Sequence, residues 1–172
     1  MRNLKKTLLI VCSLFLVVSL SKAQDYEYIG AAKCKMCHNK APKGSQYDKW
    51  QAGPHAKVFE TLASAEAKKY SANPKTDAKC LACHSNYHSA YADIMYTIKA
   101  EEGVSCESCH GPGSEYKSMS IMKDKAKSLA NGMIEPTEAV CKKCHNEKSP
   151  TFKGFNFAEY SAKIAHDDPT TE

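Results

Sequence analysis

Arginine is almost missing from this chain: Arg2 stands alone, and lysine supplies every other strong base. Long hydrophobic runs are missing too. Thr7 to Leu20 is apolar for 14 residues, short of the roughly 20 that a spanning helix needs. An excess of one charge sign is lacking beyond the first 23 residues. Taking Arg2, Lys5, Lys6 and Lys22 from the 24 basic residues leaves 20 lysines against 19 carboxylates, a net charge of +1. That balance gives nucleic-acid binding no electrostatic support. Strand signals are scarce, which points away from sheet architectures. Histidine is limited to seven residues, and that shortage becomes decisive below.

The start of the chain reads as a secretory signal peptide, residues 1–23. Arg2, Lys5 and Lys6 form the positive region, the apolar run follows, and Ser21-Lys22-Ala23 offers small residues at the two positions a signal peptidase reads. Cys12 would leave with this segment. Val11 before it is too bulky for a good lipoprotein cleavage site. The expected mature domain is residues 24–172, periplasmic or otherwise exported, with no membrane insertion after cleavage.

What the chain has in quantity is cysteine, in one arrangement. Cys-x-x-Cys-His occurs four times: Cys34, Cys37, His38; Cys80, Cys83, His84; Cys106, Cys109, His110; and Cys141, Cys144, His145. This is the attachment signature of c-type haem. Two thiols add to the vinyl groups of one porphyrin, and the adjacent histidine becomes the proximal iron ligand. At a histidine frequency of roughly 0.04, four such placements by chance have odds of a few in a million. A disulfide scaffold would use the same cysteines but gives no reason for the repeated histidine. Zinc ribbons close with four ligands and need no extra histidine each time.

Four haems in a mature chain of 149 residues leave roughly 37 residues for each. An aliphatic core of ordinary size cannot share that volume with four porphyrins. The expected fold is therefore mostly α with much irregular chain, a compact multihaem cytochrome wrapped around four covalently attached haems. Motif spacings of 46, 26 and 35 residues argue against a tandem array of identical units. Helical signals fill the gaps. His55 to Tyr70 carries Val58, Phe59, Leu62 and Ala63 on one face, with Asn73-Pro74 as the stop. Tyr87 to Glu102 places Tyr91, Ile94, Met95 and Ile98 at helical spacing and ends at Gly103. Met119 to Ala130 is a lysine-rich amphipathic segment. Thr137 can cap a helix running through Cys141 and Cys144, and Asn156 one that carries Tyr160, Ile164 and His166.

Ligand counting shows that the four sites differ. The proximal positions use His38, His84, His110 and His145, leaving His55, His88 and His166. Three spare histidines cannot complete four bis-histidine haems. At least one iron takes a methionine, another weak ligand, water or nothing. Met119 and Met122, nine and twelve residues after His110, are the better-placed methionines, although helix packing explains them as well.

With these residues in view, the chain resembles the tetrahaem cytochrome c-554 family. The resemblance is carried by Tyr28, Gly30, Tyr47, Trp50, Pro54-His55-Ala56, Phe59 and Leu62 around the first motif. Glu102-Gly103-Val104-Ser105 before the third motif, Gly111-Pro112-Gly113-Ser114 after it, and the ending Phe155-Asn156-Phe157 with Lys163-Ile164-Ala165-His166 also carry it. It implies a mainly helical wrap with haems in closely stacked pairs, three of them bis-histidine and one five-coordinate. By position, His55 would serve the third haem and His166 the fourth, with the second haem, on His84, open. The family supplies the first haem's distal histidine from the stretch after the third motif. Here Gly111 to Val140 contains none, so His88, Met119 or Met122 substitutes, or that haem is incompletely ligated too.

The function these readings favour is a periplasmic carrier relaying electrons through four c-type haems between redox partner proteins. Two alternatives stand beside it. One is a haem enzyme that binds or reduces nitric oxide, nitrite or hydroxylamine at an incompletely ligated haem. The other is a subunit of a larger respiratory or multihaem assembly. The lysines at 117, 123, 125 and 127 and at 142, 143, 148 and 153 read as solvated faces or as a docking patch for an acidic partner.

Overall fold

The computed structural model describes residues 26–86 and 98–169. Among them there is no strand, and nine short α-helices are joined by 3-10 turns and irregular chain. In order they are α1 (Ala31–His38), α2 (Gln46–Ala52), α3 (Pro54–Lys57), α4 (Ala78–His84), α5 (Cys106–His110), α6 (Met119–Met122), α7 (Lys125–Ala130), α8 (Glu138–Cys141) and α9 (Phe157–Ile164). The mostly helical, irregular architecture expected from the sequence is what the structure has. None of these helices is long and apolar enough to cross a membrane. His88, Met95 and most of the helix expected over Tyr87 to Glu102 lie outside the described residues, as does the segment 1–25.

The helices are shorter than periodicity suggests, and the causes are local. His55 to Tyr70 breaks into α3 and two 3-10 turns, Val58–Ala63 and Ala67–Lys69. The Val58 carbonyl accepts from the Thr61 hydroxyl at 2.6 Å and lies 2.9 Å from His84 Nδ1, so side chains occupy an acceptor a regular helix would use. Phe59 and Leu62 still point inward, packing on Leu81 with Cys80 and Ala100 beside them. Met119 to Ala130 divides at Asp124, whose carboxylate accepts from Lys127 N at 3.0 Å and starts α7 afresh. The helix expected through Cys141 and Cys144 ends at Cys141, and Cys144 lies in the turn that follows. Asn156 caps α9 as expected, accepting from Glu159 N at 3.2 Å, but α9 stops at Ile164 and His166 lies past its end.

The ordinary core is small. Among the described residues the buried apolar side chains are Ala31, Phe59, Leu62, Leu81, Ile98 and Tyr116. Polar clamps supplement this core. Glu107, 1% exposed, accepts from the backbone N–H groups of Ile29 (2.9 Å), Gly30 (2.8 Å) and Gly113 (2.7 Å). It thereby ties the N-terminal segment and the Gly111-Pro112-Gly113 loop to the third motif. Asn86, equally buried, accepts from Ser105 N at 2.8 Å and from the Ser108 hydroxyl, fastening the chain after the second motif onto α5. Trp50 Nε1 donates to the Val104 carbonyl at 2.9 Å, and Val104 N donates to the His55 carbonyl at 3.0 Å. Gly103 makes that approach feasible. Its φ is +66°, and a Cβ there would stand 2.5 Å from the His55 carbonyl oxygen.

Candidate haem-attachment site

About one helical turn separates the two thiols of a Cys-x-x-Cys pair, with the histidine following directly. Thiols from different motifs then meet. Cys34 and Cys106, of the first and third motifs, are hydrogen-bonded to each other. Cys83 and Cys144, of the second and fourth, form the other pair. Cys109 lies within electrostatic range of both Cys141 and Cys144, which links the third motif to the fourth. The spatial order is thus first, third, fourth, second. Within each hydrogen-bonded pair the proton is unequally held. Cys144 lowers Cys83 to about 7, and the contact with Cys83 pushes Cys144 far up. The Cys34–Cys106 contact lowers Cys34 and raises Cys106.

No disulfide joins the eight motif cysteines, and no cluster of three or more His, Cys, Asp or Glu among the described residues could hold a metal ion by itself.

Of the six described histidines, four form two close pairs and two have no histidine ring beside them. His55 and His145 have ring centroids 6.1 Å apart, and His110 and His166 are 6.0 Å apart. Two imidazoles on opposite sides of one metal, with bonds of about 2.0–2.1 Å, have centroids separated by about 6.4 Å. The residues present therefore fit an iron between each pair. The pairing differs from the one the resemblance implied. His55 faces the fourth motif and His166 the third. The reason is positional: Val104 and Gly103 hold the His55 backbone, while the chain past α9 carries His166 to His110.

Supporting contacts fix these rings. His166 Nδ1 lies 2.8 Å from the Ile164 carbonyl and His84 Nδ1 lies 2.9 Å from that of Val58, with Thr61 Oγ1 at 3.1 Å. A carbonyl at Nδ1 fixes the tautomer and leaves Nε2 as the metal-binding nitrogen. Phe155 stacks on His145 at 4.9 Å, and Tyr160 packs on Phe155 at 5.2 Å. Burial holds His55, His145 and His110 below the ordinary histidine range. The neighbouring imidazole adds to this for His55 and His110, while the Ile134 backbone opposes it at His110. The neutral form so favoured is the one that binds metal. Burial also lowers His38, with Asp168 opposing and Lys43 reinforcing. Among the described residues neither His38 nor His84 has a histidine ring opposite it.

Several supporting residues escape a reading of the sequence. Glu107 sits inside a motif, where its position is a signal, but its burial is not legible. Asn86 carries no local signal, and Phe155 stands out only through the family resemblance, not as a ring packed on His145.

Comparison with known proteins identifies the family. The family described as "Cytochrome c554 and c-prime" matches residues 33–111, a span that holds the first three motifs. Cytochrome c-554 of Nitrosomonas europaea is 32% identical, the match covering 85% of this chain and 70% of that protein. No solved structure matches. The chain belongs to the cytochrome c-554 family, and so is a c-type cytochrome with covalently bound haem.

Proposed function

We propose that the protein is a periplasmic electron carrier that holds four haems and relays electrons between redox partners. The observation carrying the reading is the contact order of the motifs. The Cys34–Cys106 and Cys83–Cys144 pairs, with Cys109 within electrostatic range of Cys144, support an arrangement in which each motif lies near another. Haem, when bound, supplies the redox chemistry. The chain's residues do the rest. The eight cysteines attach, and His38, His84, His110 and His145 provide proximal ligands. His166 completes the third site and His55 the fourth. His88 is reserved for a site among the remaining two. Residues 1–23 direct export and are removed, leaving 24–172 as the working domain.

A specific observation favours a second reading at one site. His84 is anchored through Nδ1 by the Val58 carbonyl and faces no other imidazole among the described residues. An iron held by His84 would then lack a second histidine ligand from the described residues, which supports a small nitrogen species as its further ligand.

Mass spectrometry of the exported holoprotein tests the count, with four covalent haems expected. Low-temperature EPR of the oxidised protein tests the ligation. Low-spin signals are expected from the third and fourth sites, and a high-spin signal from at least one other. Four low-spin bis-histidine signals would sink the ligand assignment. Turnover of nitric oxide with a chemical reductant would move the second reading ahead of the first.

A further inference from the structure

The two residues inside each motif differ sharply in exposure. In the second motif Leu81 is 7% exposed, and in the third Glu107 is sealed. In the first motif Met36 is 70% exposed, and Cys37 is the one exposed cysteine of the eight. Helix α1 is divided between two faces. Ala31, Cys34 and His38 stand at i, i+3 and i+7 on the less exposed side. Lys33, Met36 and Cys37 stand at i, i+3 and i+4 on the outer side, and Lys40 follows one turn on. The first motif also ends the contact order, whereas the fourth lies within it.

Charge singles out the same face. Ala31 to Lys43 contains Lys33, Lys35, Lys40 and Lys43 and no carboxylate. Lys43 pairs with Asp168 at 3.3 Å, and Lys35 lies 4.9 Å over the Tyr47 ring. Lys33 and Lys40 are exposed and make no ion pair among the described residues. Lys125, Lys127 and Lys142 are paired with Glu135, Asp124 and Glu138, whereas Lys143, Lys148 and Lys153 are exposed and make no ion pair among the described residues. The fourth motif, the other exposed one, differs in carrying the carboxylates Glu138 and Glu147 among its lysines and in lying within the contact order. An exposed apolar centre ringed by unpaired lysines has the anatomy of a transient interface, in which charge steers encounter.

We propose that the outer face of α1, Lys33, Met36, Cys37 and Lys40, is the docking port for an acidic redox protein whose carboxylates surround its own cofactor edge. Each productive encounter passes one electron. The partner's cofactor is oxidised by one electron, and the iron of the haem held at Cys34 and Cys37 goes from ferric to ferrous. No bond is made or broken. The inference rests on the electron-carrier reading above.

Flavodoxin, an acidic flavin protein, serves as the probe, with the holoprotein and its K33E/K40E variant, both changes outside the Cys-x-x-Cys-His residues. K117E/K123E, the same charge change on exposed lysines elsewhere, is the control. Two quantities are read: the dissociation constant between the two oxidised proteins by NMR titration, and the rate of electron transfer from flavodoxin hydroquinone. At low salt, K33E/K40E should weaken binding and slow transfer by about tenfold and flatten the salt dependence, while the control should change either by less than about twofold. Equal effects of the two variants, or none from K33E/K40E, overturn the proposal. If K33E/K40E loses haem, K40E alone, beyond the end of α1, carries the test with an effect of about threefold. Failure of the electron-carrier reading looks different: haem would be fewer than four per chain, or dithionite would leave the haem spectrum unchanged.

Discussion

At the scale of single residues, buried carboxylates set the conditions around the first and third motifs. Glu107 is a clamp made of one side chain. Glu107→Gln would turn an amide donor toward backbone N–H groups that need an acceptor. The expected loss is about 2–4 kcal/mol of stability, read as a lowered unfolding midpoint with haem content unchanged. Glu102 accepts from Ala31 N at 3.1 Å, and burial raises its pKa above the ordinary glutamate value. A raised folded-state value means the folded chain binds that proton more tightly than the unfolded chain. Its contribution is complete below the unfolded value and is lost as pH rises through the folded one. Wild-type stability should therefore fall relative to Glu102→Gln as pH climbs from about 4 toward neutrality, read from denaturant midpoints at both ends.

At the scale of elements, short helices place ligands through their caps and their breaks. Removing the Asn156 cap of α9 by Asn156→Ala should cost about 1 kcal/mol. It should also loosen the chain that delivers His166, visible as broadened low-spin EPR from the third site. Gly103→Ala combines an unfavourable φ with a Cβ 2.5 Å from the His55 carbonyl. The backbone at His55 must then shift, and the fourth site should change from low-spin toward high-spin while the third stays as it was.

At the scale of the whole molecule, the described residues bury few apolar side chains, and the polar clamps hold segments rather than layers. We propose that the attached haems fill part of the core. Expressed without haem attachment, the chain should lack fixed tertiary packing. Near-UV circular dichroism should be flat while some helical far-UV signal persists. A well-packed apoprotein with native near-UV signal would show that the polypeptide alone suffices.

The local chemistry was determined by sequence. Cys-x-x-Cys-His is read by neighbours in the chain, so all four motifs, the mostly helical class and the shortage of histidine were legible without coordinates. The α9 cap at Asn156 and the buried face of Phe59 and Leu62 were legible for the same reason, being set within a turn or two. What lay beyond the sequence was every relation between distant segments. Helix ends moved because the Val58 carbonyl was taken by Thr61 and His84, and Asp124 began a new helix. His55 lies beside His145 and His166 beside His110, a pairing other than the one the family resemblance implied, because Gly103 and Val104 hold one and the turn after α9 carries the other. Which motifs touch, and which face of α1 is left to solvent, depended on how the chain closes upon itself. A ligand's identity is encoded within a few residues, whereas its partner is chosen by contacts across as many as ninety, and only tertiary packing makes those.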